Sequence, residues 1–287
     1  MNARAKNLAA CLACATACIA AARAHADGVT WPNLSSGPLQ DNSFLIEEAY
    51  NQEEGVVQHI NTFQRFRESR DWVYTFTHEW PLGGLKHQFS YTVPVTRIVD
   101  SPGGKSGIGD VALNYRYQLV GDGEAKVAIA PRFTVMLPSG NERQRRGLGA
   151  TSYQAQLPLS LVLAPALVAH SNAGYTWTPN AKDADGNKAD LKAWSLGQSL
   201  VWLAAPRVNL MLEAIYARGQ EVAGPGRAST VKSAFVSPGV RWSYDFPSGL
   251  QIVPGIAFPI GVGPSRHEKS FFLYLSFEHP FGSARHP

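Results

Sequence analysis

The sequence predicts an all-β fold, a transmembrane antiparallel up-and-down β-barrel of about twelve strands. Three observations indicate it. From about residue 55 onward, apolar and polar side chains alternate along the chain, which is the period of a β-strand. The connections between the predicted strands mostly alternate between short and long, as they do in outer-membrane barrels. The first 26 residues have the features of an export signal.

Residues 1–26 predict a cleaved signal peptide. Arg4 and Lys6 give it a positive start, an Ala-rich apolar run follows, and Ala24–Ala26 is a small-x-small cleavage site. A short membrane anchor is the alternative, but the apolar run is short and lacks bulky side chains. All three cysteines lie in this segment. The mature chain is therefore predicted to have neither a disulfide nor a Cys-based metal or catalytic site.

The charge balance indicates which partners to expect. The chain has 26 basic and 22 acidic residues, but Arg4, Lys6 and Arg23 lie in the signal segment. The mature chain is therefore close to neutral, and it has no clustered basic face of the kind that binds nucleic acid. The expected partners are outer-membrane lipid and lipopolysaccharide, the barrel-assembly machinery and a small-molecule solute.

The alternation is clearest in residues 110–119, 125–137, 153–163, 208–216 and 240–246. The apolar face is predicted to meet lipid and the polar face to line the lumen, because an Arg facing lipid at the midplane costs about 2–4 kcal/mol. Less regular strands are predicted near 56–67, 72–80, 87–97, 167–177, 192–203, 250–260 and 270–278. The candidate lumen-lining residues are Asn114, Arg116, Gln118, Lys126, Arg132, Gln154, Gln156, Asn172, Asn209, Glu213, Arg241 and Asp245.

The predicted connections carry the second signal. Short ones fall at 82–85, 121–124, 164–166, 205–206 and 247–249. Long ones, rich in Gly, Pro and charged residues, fall at 99–107, 139–150, 179–190, 220–231 and 261–268. The first hairpin, at 68–71, is short where the alternation predicts a long loop. A soluble β-sandwich has no reason to place its long loops at every second connection.

Residues 27–54 precede the predicted barrel, which occupies residues 55–287. The part from 39 to 54 is polar and not strand-like, and its carboxylates are Asp41, Glu47, Glu48, Glu53 and Glu54. Two alternatives are open: a short helix at the periplasmic mouth or inside the lumen, and a solvated tail. In the first alternative we hypothesise that the carboxylates meet Arg65, Arg67 and Arg116 and partly plug the pore.

No catalytic set, cofactor or metal site is predicted. Lipid hydrolases of the outer membrane carry a His and a Ser two positions apart on one strand face, and the mature chain has no such pair. The acidic stretch 179–190 lacks the Glu that completes an EF-hand loop. A lipid hydrolase and a non-conducting structural or adhesive barrel remain as alternatives to a channel.

Two stretches resemble a known family. Residues 41–53 (DNSFLIEEAYNQE) with 55–60 (GVVQHI), and residues 107–111 (GIGDV) opening a strand, are similar to proteobacterial outer-membrane proteins of the family named for the MetA pathway of phenol degradation. The resemblance covers most of the mature chain and brings no catalytic residues with it. It implies a porin-like transporter linked to aromatic catabolism. The predicted function is a channel for small aromatic or hydrophobic solutes in the outer membrane of a Gram-negative bacterium.

Overall fold

The computed structural model describes residues 43–100, 106–122 and 125–281. In them, twelve antiparallel strands form a closed barrel. The last strand pairs with the first, so that Val56 lies opposite Pro280 and Phe66 opposite Ser270. A closed sheet has no unpaired edge. The predicted barrel is confirmed, while the predicted signal peptide lies outside the described residues.

The strands are numbered here in chain order. The first six are β1 (Val56–Phe66), β2 (Trp72–Pro81), β3 (His87–Arg97), β4 (Gly107–Ile108 and Val111–Tyr117), β5 (Val127–Ile129 and Arg132–Leu137) and β6 (Ser152–Ala164). The others are β7 (Leu167–Lys182), β8 (Lys188–Ala205), β9 (Val208–Gly224), β10 (Arg227–Trp242 and Tyr244–Asp245), β11 (Gln251–Ala257 and Ile260–Gly261) and β12 (Ser270–Pro280). No helix among the described residues is long and apolar enough to cross a membrane.

Polar residues face the lumen, as the alternation predicts. On β9, Leu210 and Leu212 are 40% and 50% exposed, whereas Asn209, Met211 and Glu213 are 1%, 4% and 0% exposed. Successive side chains of a strand point to opposite faces. The outer face of β9 is therefore apolar and the inner face mostly polar, which is the arrangement that a barrel in lipid requires.

Two of the predicted long loops are wrong. β7 and β8 continue to a short connection at 183–187, and β9 and β10 continue to a turn at 225–226. These four strands have 16, 18, 17 and 16 residues, and a membrane-spanning strand needs only about 9–11. The two hairpins therefore extend beyond the span. Their Gly, Asn, Asp and Lys residues suit a solvated strand as well as a loop.

We call the end where β1 begins and β12 ends the terminal end, and the opposite one the loop end. At the loop end, residues 138–151 fold inward. The Asp110 carboxylate accepts hydrogen bonds from Gly140 N at 3.0 Å and Leu148 N at 2.9 Å. Lys182 N donates to Leu148 O at 2.7 Å. Leu148 packs against buried inner-face residues of β7 and β8, so this loop partly covers the mouth of the barrel.

Candidate functional site

The residues just before β1 lie inside the barrel. Residues 43–52, named the lumen segment here, form neither a helix nor a strand. Ile46 and Ala49 in this segment are 1% and 0% exposed. The predicted helix is therefore wrong. Three positions were open, the periplasmic mouth, the lumen and a solvated tail, and the described part of the segment occupies the lumen.

The lumen segment connects distant parts of the barrel wall. At one end, Ser43 Oγ lies 2.9 Å from Ser199 Oγ on β8. At the other end, Gln52 N donates to Gln88 Oε1 on β3 at 2.6 Å, and Gln52 Nε2 donates to Glu278 Oε1 on β12 at 2.6 Å. Because Gln88 lies near the start of β3 and Glu278 near the end of β12, the segment enters at the terminal end and crosses the lumen toward β8.

Two wall amides hold the backbone of the lumen segment as a neighbouring strand would. Asn172 on β7 accepts from Glu47 N at 2.9 Å and donates to Glu47 O at 2.8 Å. Gln118, just after β4, accepts from Asn51 N at 2.9 Å and donates to Ala49 O at 2.7 Å. Buried backbone groups must find partners, and an Asn or Gln side chain offers both a donor and an acceptor.

A carboxylate on β9 holds the next part of the backbone. Glu213 Oε1 accepts from Leu45 N at 2.9 Å and from Ile46 N at 3.1 Å. Glu213 itself is fully buried. A carboxylate accepts hydrogen bonds strongly, and two amides of one extended segment can therefore share this acceptor.

Arg116 on β4 is a buried cation that contacts the lumen segment. Its Nη2 donates to Tyr50 O at 2.6 Å, its Nε to Asn51 Oδ1 at 2.9 Å, and its Nη1 to Glu48 O at 3.3 Å. Nη1 also lies 3.8 Å from the Glu48 carboxylate, and the two side chains are 4% and 5% exposed. The fork of guanidinium donors suits several carbonyl acceptors at once.

A Ser–His pair that the sequence did not reveal also contacts the lumen segment. Ser160 on β6 and His170 on β7 are cross-strand neighbours, and Ser160 Oγ lies 2.8 Å from His170 Nδ1. Ser160 Oγ also accepts from Ala49 N at 2.7 Å. The alternation places Ser160 on the polar face, but only the pairing register of β6 with β7 identifies His170 as its partner.

Most predicted lumen-lining residues lie on the inner face. Buried there are Asn114, Arg116, Gln118, Gln154, Gln156, Asn172, Asn209, Glu213 and Arg241. Arg132 also faces inward and contacts Glu47 and Gln156. Two candidates lie apart from this set. Lys126 is exposed in the turn before β5, and Asp245 pairs with Arg207 near the terminal end, with Nε and Oδ2 3.1 Å apart.

The predicted plug carboxylates divide into three groups. Glu47 and Glu48 belong to the lumen segment, and each contacts an inward Arg. Glu53 and Glu54 are exposed in the turn that leads into β1. Asp41 lies outside the described residues.

One of the three predicted arginine partners contacts a carboxylate of the lumen segment. Arg116 contacts Glu48, as hypothesised. Arg65 and Arg67 are exposed near the loop end of β1, at the opposite end from Gln52. The sequence did not single out Arg132 as the partner of Glu47.

Part of the wall between the lumen segment and the loop end carries uncharged hydroxyl groups. Hydroxyl groups pair across neighbouring strands there, at 2.6, 2.8 and 2.7 Å, in the pairs Thr62–Thr75, Thr77–Thr92 and Ser152–Thr178. No group of three or more His, Cys, Asp or Glu side chains in the described ranges is arranged to hold a metal ion.

A closed twelve-strand barrel with an apolar outer face and a polar inner face defines the class of outer-membrane β-barrels. Within that class, the chain belongs to the family described as "Putative MetA-pathway of phenol degradation", whose model matches residues 42–277.

Solved structures share this fold. An outer membrane channel from Pseudomonas putida F1 has a TM-score of 0.62 at 12% identity, over 81% of this chain and 98% of that chain. The NanC porin has a TM-score of 0.52 at 12% identity, over 76% of this chain and 98% of that chain. None of the curated proteins matches the chain. At such identities, the likeness establishes the fold alone.

Proposed function

We propose that the protein is a channel for small aromatic or hydrophobic solutes in the outer membrane of a Gram-negative bacterium, and that the lumen segment closes it. One observation carries the proposal. Residues 43–52 cross the inside of a closed barrel and are held by inward side chains of several strands. A stretch held by side chains can be released without breaking the backbone ladder of the wall.

The family and the structural neighbours support the proposal. The family description refers to phenol degradation, and the two similar structures are those of a channel and a porin. The inner wall supports it as well. One sector is apolar, with Val253, Phe272 and Tyr274 in the buried cluster that receives Phe44, and the neighbouring sector on β1, β2 and β3 carries paired hydroxyls. Such a surface suits an uncharged solute with an apolar body.

The orientation follows from the end of the barrel at which the first strand begins and the last strand ends. Both chain ends of an outer-membrane barrel face the periplasm, so the terminal end is the periplasmic one in this proposal. The long hairpins β7–β8 and β9–β10 would then stand outside the cell, where lipopolysaccharide is the expected neighbour. The apolar face of β12 is the surface that the barrel-assembly machinery would read.

Liposome swelling tests the proposal. Phenyl glucoside and methyl glucoside form a suitable pair, because both are uncharged and slow to cross lipid. Only phenyl glucoside has an aromatic ring, and it is the larger of the two, so an unselective pore would pass it more slowly. We expect swelling above empty liposomes, faster with phenyl glucoside, and faster still after deletion of residues 43–52. Heat-modifiable gel migration verifies that the deletion variant forms a barrel.

A non-conducting barrel is the second candidate, because the lumen segment is so completely bonded to the wall. It predicts no swelling above empty liposomes with either solute, in the native chain or in the deletion variant. That result would overturn the channel proposal. It would leave a structural or adhesive role for the exposed hairpins.

A further inference from the structure

The ring of Phe44 fills a niche in the barrel wall that only glycines allow. Gly239 on β10 and Gly255 on β11 lie beneath the ring, and a Cβ built on Gly239 would lie 2.6 Å from Phe44 Cε2. Any larger residue at these positions would displace the ring, since 2.6 Å is well inside carbon–carbon contact distance. The wall is therefore shaped to receive a planar six-membered ring.

The sides of the niche are aromatic and apolar. The ring centroids of Phe272 and Tyr274 on β12 lie 5.7 and 5.5 Å from that of Phe44, with the planes tilted by 45° and 53°. These spacings lie in the range that favours aromatic pairs. Met211 and Val253 belong to the same buried cluster. Such a lining favours an aromatic ring over water.

A polar pair borders the niche on the side of the loop end. Ser237 precedes Gly239 by two residues on β10 and also faces inward. It lies opposite Glu213 on β9. The two residues are 1% and 0% exposed. Ser237 Oγ and Glu213 Oε2 have no hydrogen-bond partner among the described residues. A buried polar atom without a partner is costly, and a phenolic hydroxyl both donates and accepts.

We infer that the niche is a binding site for a single hydroxylated aromatic ring, and that Phe44 occupies it until such a solute takes its place. The ring of the solute would lie on Gly239 and Gly255, with its hydroxyl toward Ser237 and Glu213. Displacement of Phe44 by the solute would loosen the lumen segment and open the channel, and this consequence rests on the proposed function. The binding itself can be measured without transport.

Fluorine NMR of 4-fluorophenol with the purified full chain in detergent tests the site. Phe44→Ala empties the niche. We expect this variant to bind the probe at least about tenfold more tightly than the native chain, because the Phe44 ring no longer competes for the site. Phenol should compete with the probe, and cyclohexanol should not. Adding Ser237→Ala should weaken binding of 4-fluorophenol and leave binding of fluorobenzene unchanged.

A pair of glycine variants locates the bound probe. F44A/G255V refills the niche and should abolish binding. F44A/G219V is the matched control, because Gly219 also faces inward, on β9, and its Cβ would meet only the Ala193 Cβ, at 3.4 Å. Heat-modifiable migration shows whether each variant has formed a barrel.

Three results would overturn the inference: no gain in binding with F44A, equal binding by F44A and F44A/G255V, or equal competition by cyclohexanol. Failure of the channel is a separate outcome. Probe binding to F44A without liposome swelling would refute transport and support the site. Swelling without probe binding would support transport and refute the site.

Discussion

The side-chain amide of Asn172 binds both backbone groups of Glu47, at 2.9 Å through its oxygen and at 2.8 Å through its nitrogen. A side chain on the wall thus takes the place of a neighbouring strand for a segment that is not part of the sheet. The two bonds can break together when the segment leaves.

Loss of the Asn172 amide should loosen the lumen segment. Asn172→Leu keeps the approximate volume but removes both bonds to Glu47, each worth about 0.5–1.5 kcal/mol. We expect faster hydrogen exchange at the Glu47 amide and higher conductance in planar bilayers. Asn61→Leu is the control, because Asn61 bonds to Tyr74 on the outer face. Equal exchange in the two variants would show that the amide does not hold the segment.

Removal of one partner of the buried Arg116–Glu48 pair should destabilise the protein. Arg116→Met removes the donors to Tyr50 and Asn51 and leaves Glu48 without its cation, and loss of one partner of a buried pair costs about 3–5 kcal/mol. We expect a lower midpoint of unfolding in guanidinium, with part of the loss recovered by adding Glu48→Gln. Arg143→Met, in the exposed loop, should have little effect. No recovery in the double variant would contradict the coupling.

Asp110 should hold the loop 138–151 over the mouth. Asp110→Ala removes the acceptor for Gly140 N and Leu148 N. We expect faster tryptic cleavage within this loop, which contains Arg143, Arg145 and Arg146, because protease cleaves a loop through its released form. Asp245→Ala, at the opposite end of the barrel, is the control. Unchanged cleavage in Asp110→Ala would show that other contacts, such as the packing of Leu148, fix the loop.

The fold could be predicted from the sequence because each strand has its own pattern. The alternation in residues 208–216 separates Leu210 and Leu212 from Asn209 and Glu213 without reference to any other strand, and the structure gives the same two faces. The hairpin ends could not be predicted in this way. A strand that rises out of the membrane has no apolar face to maintain, so residues 179–190 and 220–231 resemble loops.

The path of the lumen segment could not be predicted for a different reason. The side chains that accept hydrogen bonds from its backbone are those of Gln88, Gln118, Ser160, Asn172 and Glu213, which lie on or beside five strands. Their mutual positions depend on the register of each strand with the next. The sequence indicated that Gln118, Asn172 and Glu213 face inward, and that carboxylates before β1 could meet Arg116. It had no signal for the glycine niche of Phe44, because glycine also occurs in strands for other reasons.

A reversible cross-link between Ser43 and Ser199 tests most directly whether the lumen segment must move. Their Oγ atoms lie 2.9 Å apart, and the chain has no cysteine after residue 18, so S43C/S199C offers one defined disulfide. With the bond verified by mass spectrometry, we expect low solute flux and conductance when it is oxidised, and recovery to the level of S43C alone after reduction. Equal flux through the oxidised and reduced forms would contradict the account, because solute would then pass a segment that is fixed in place.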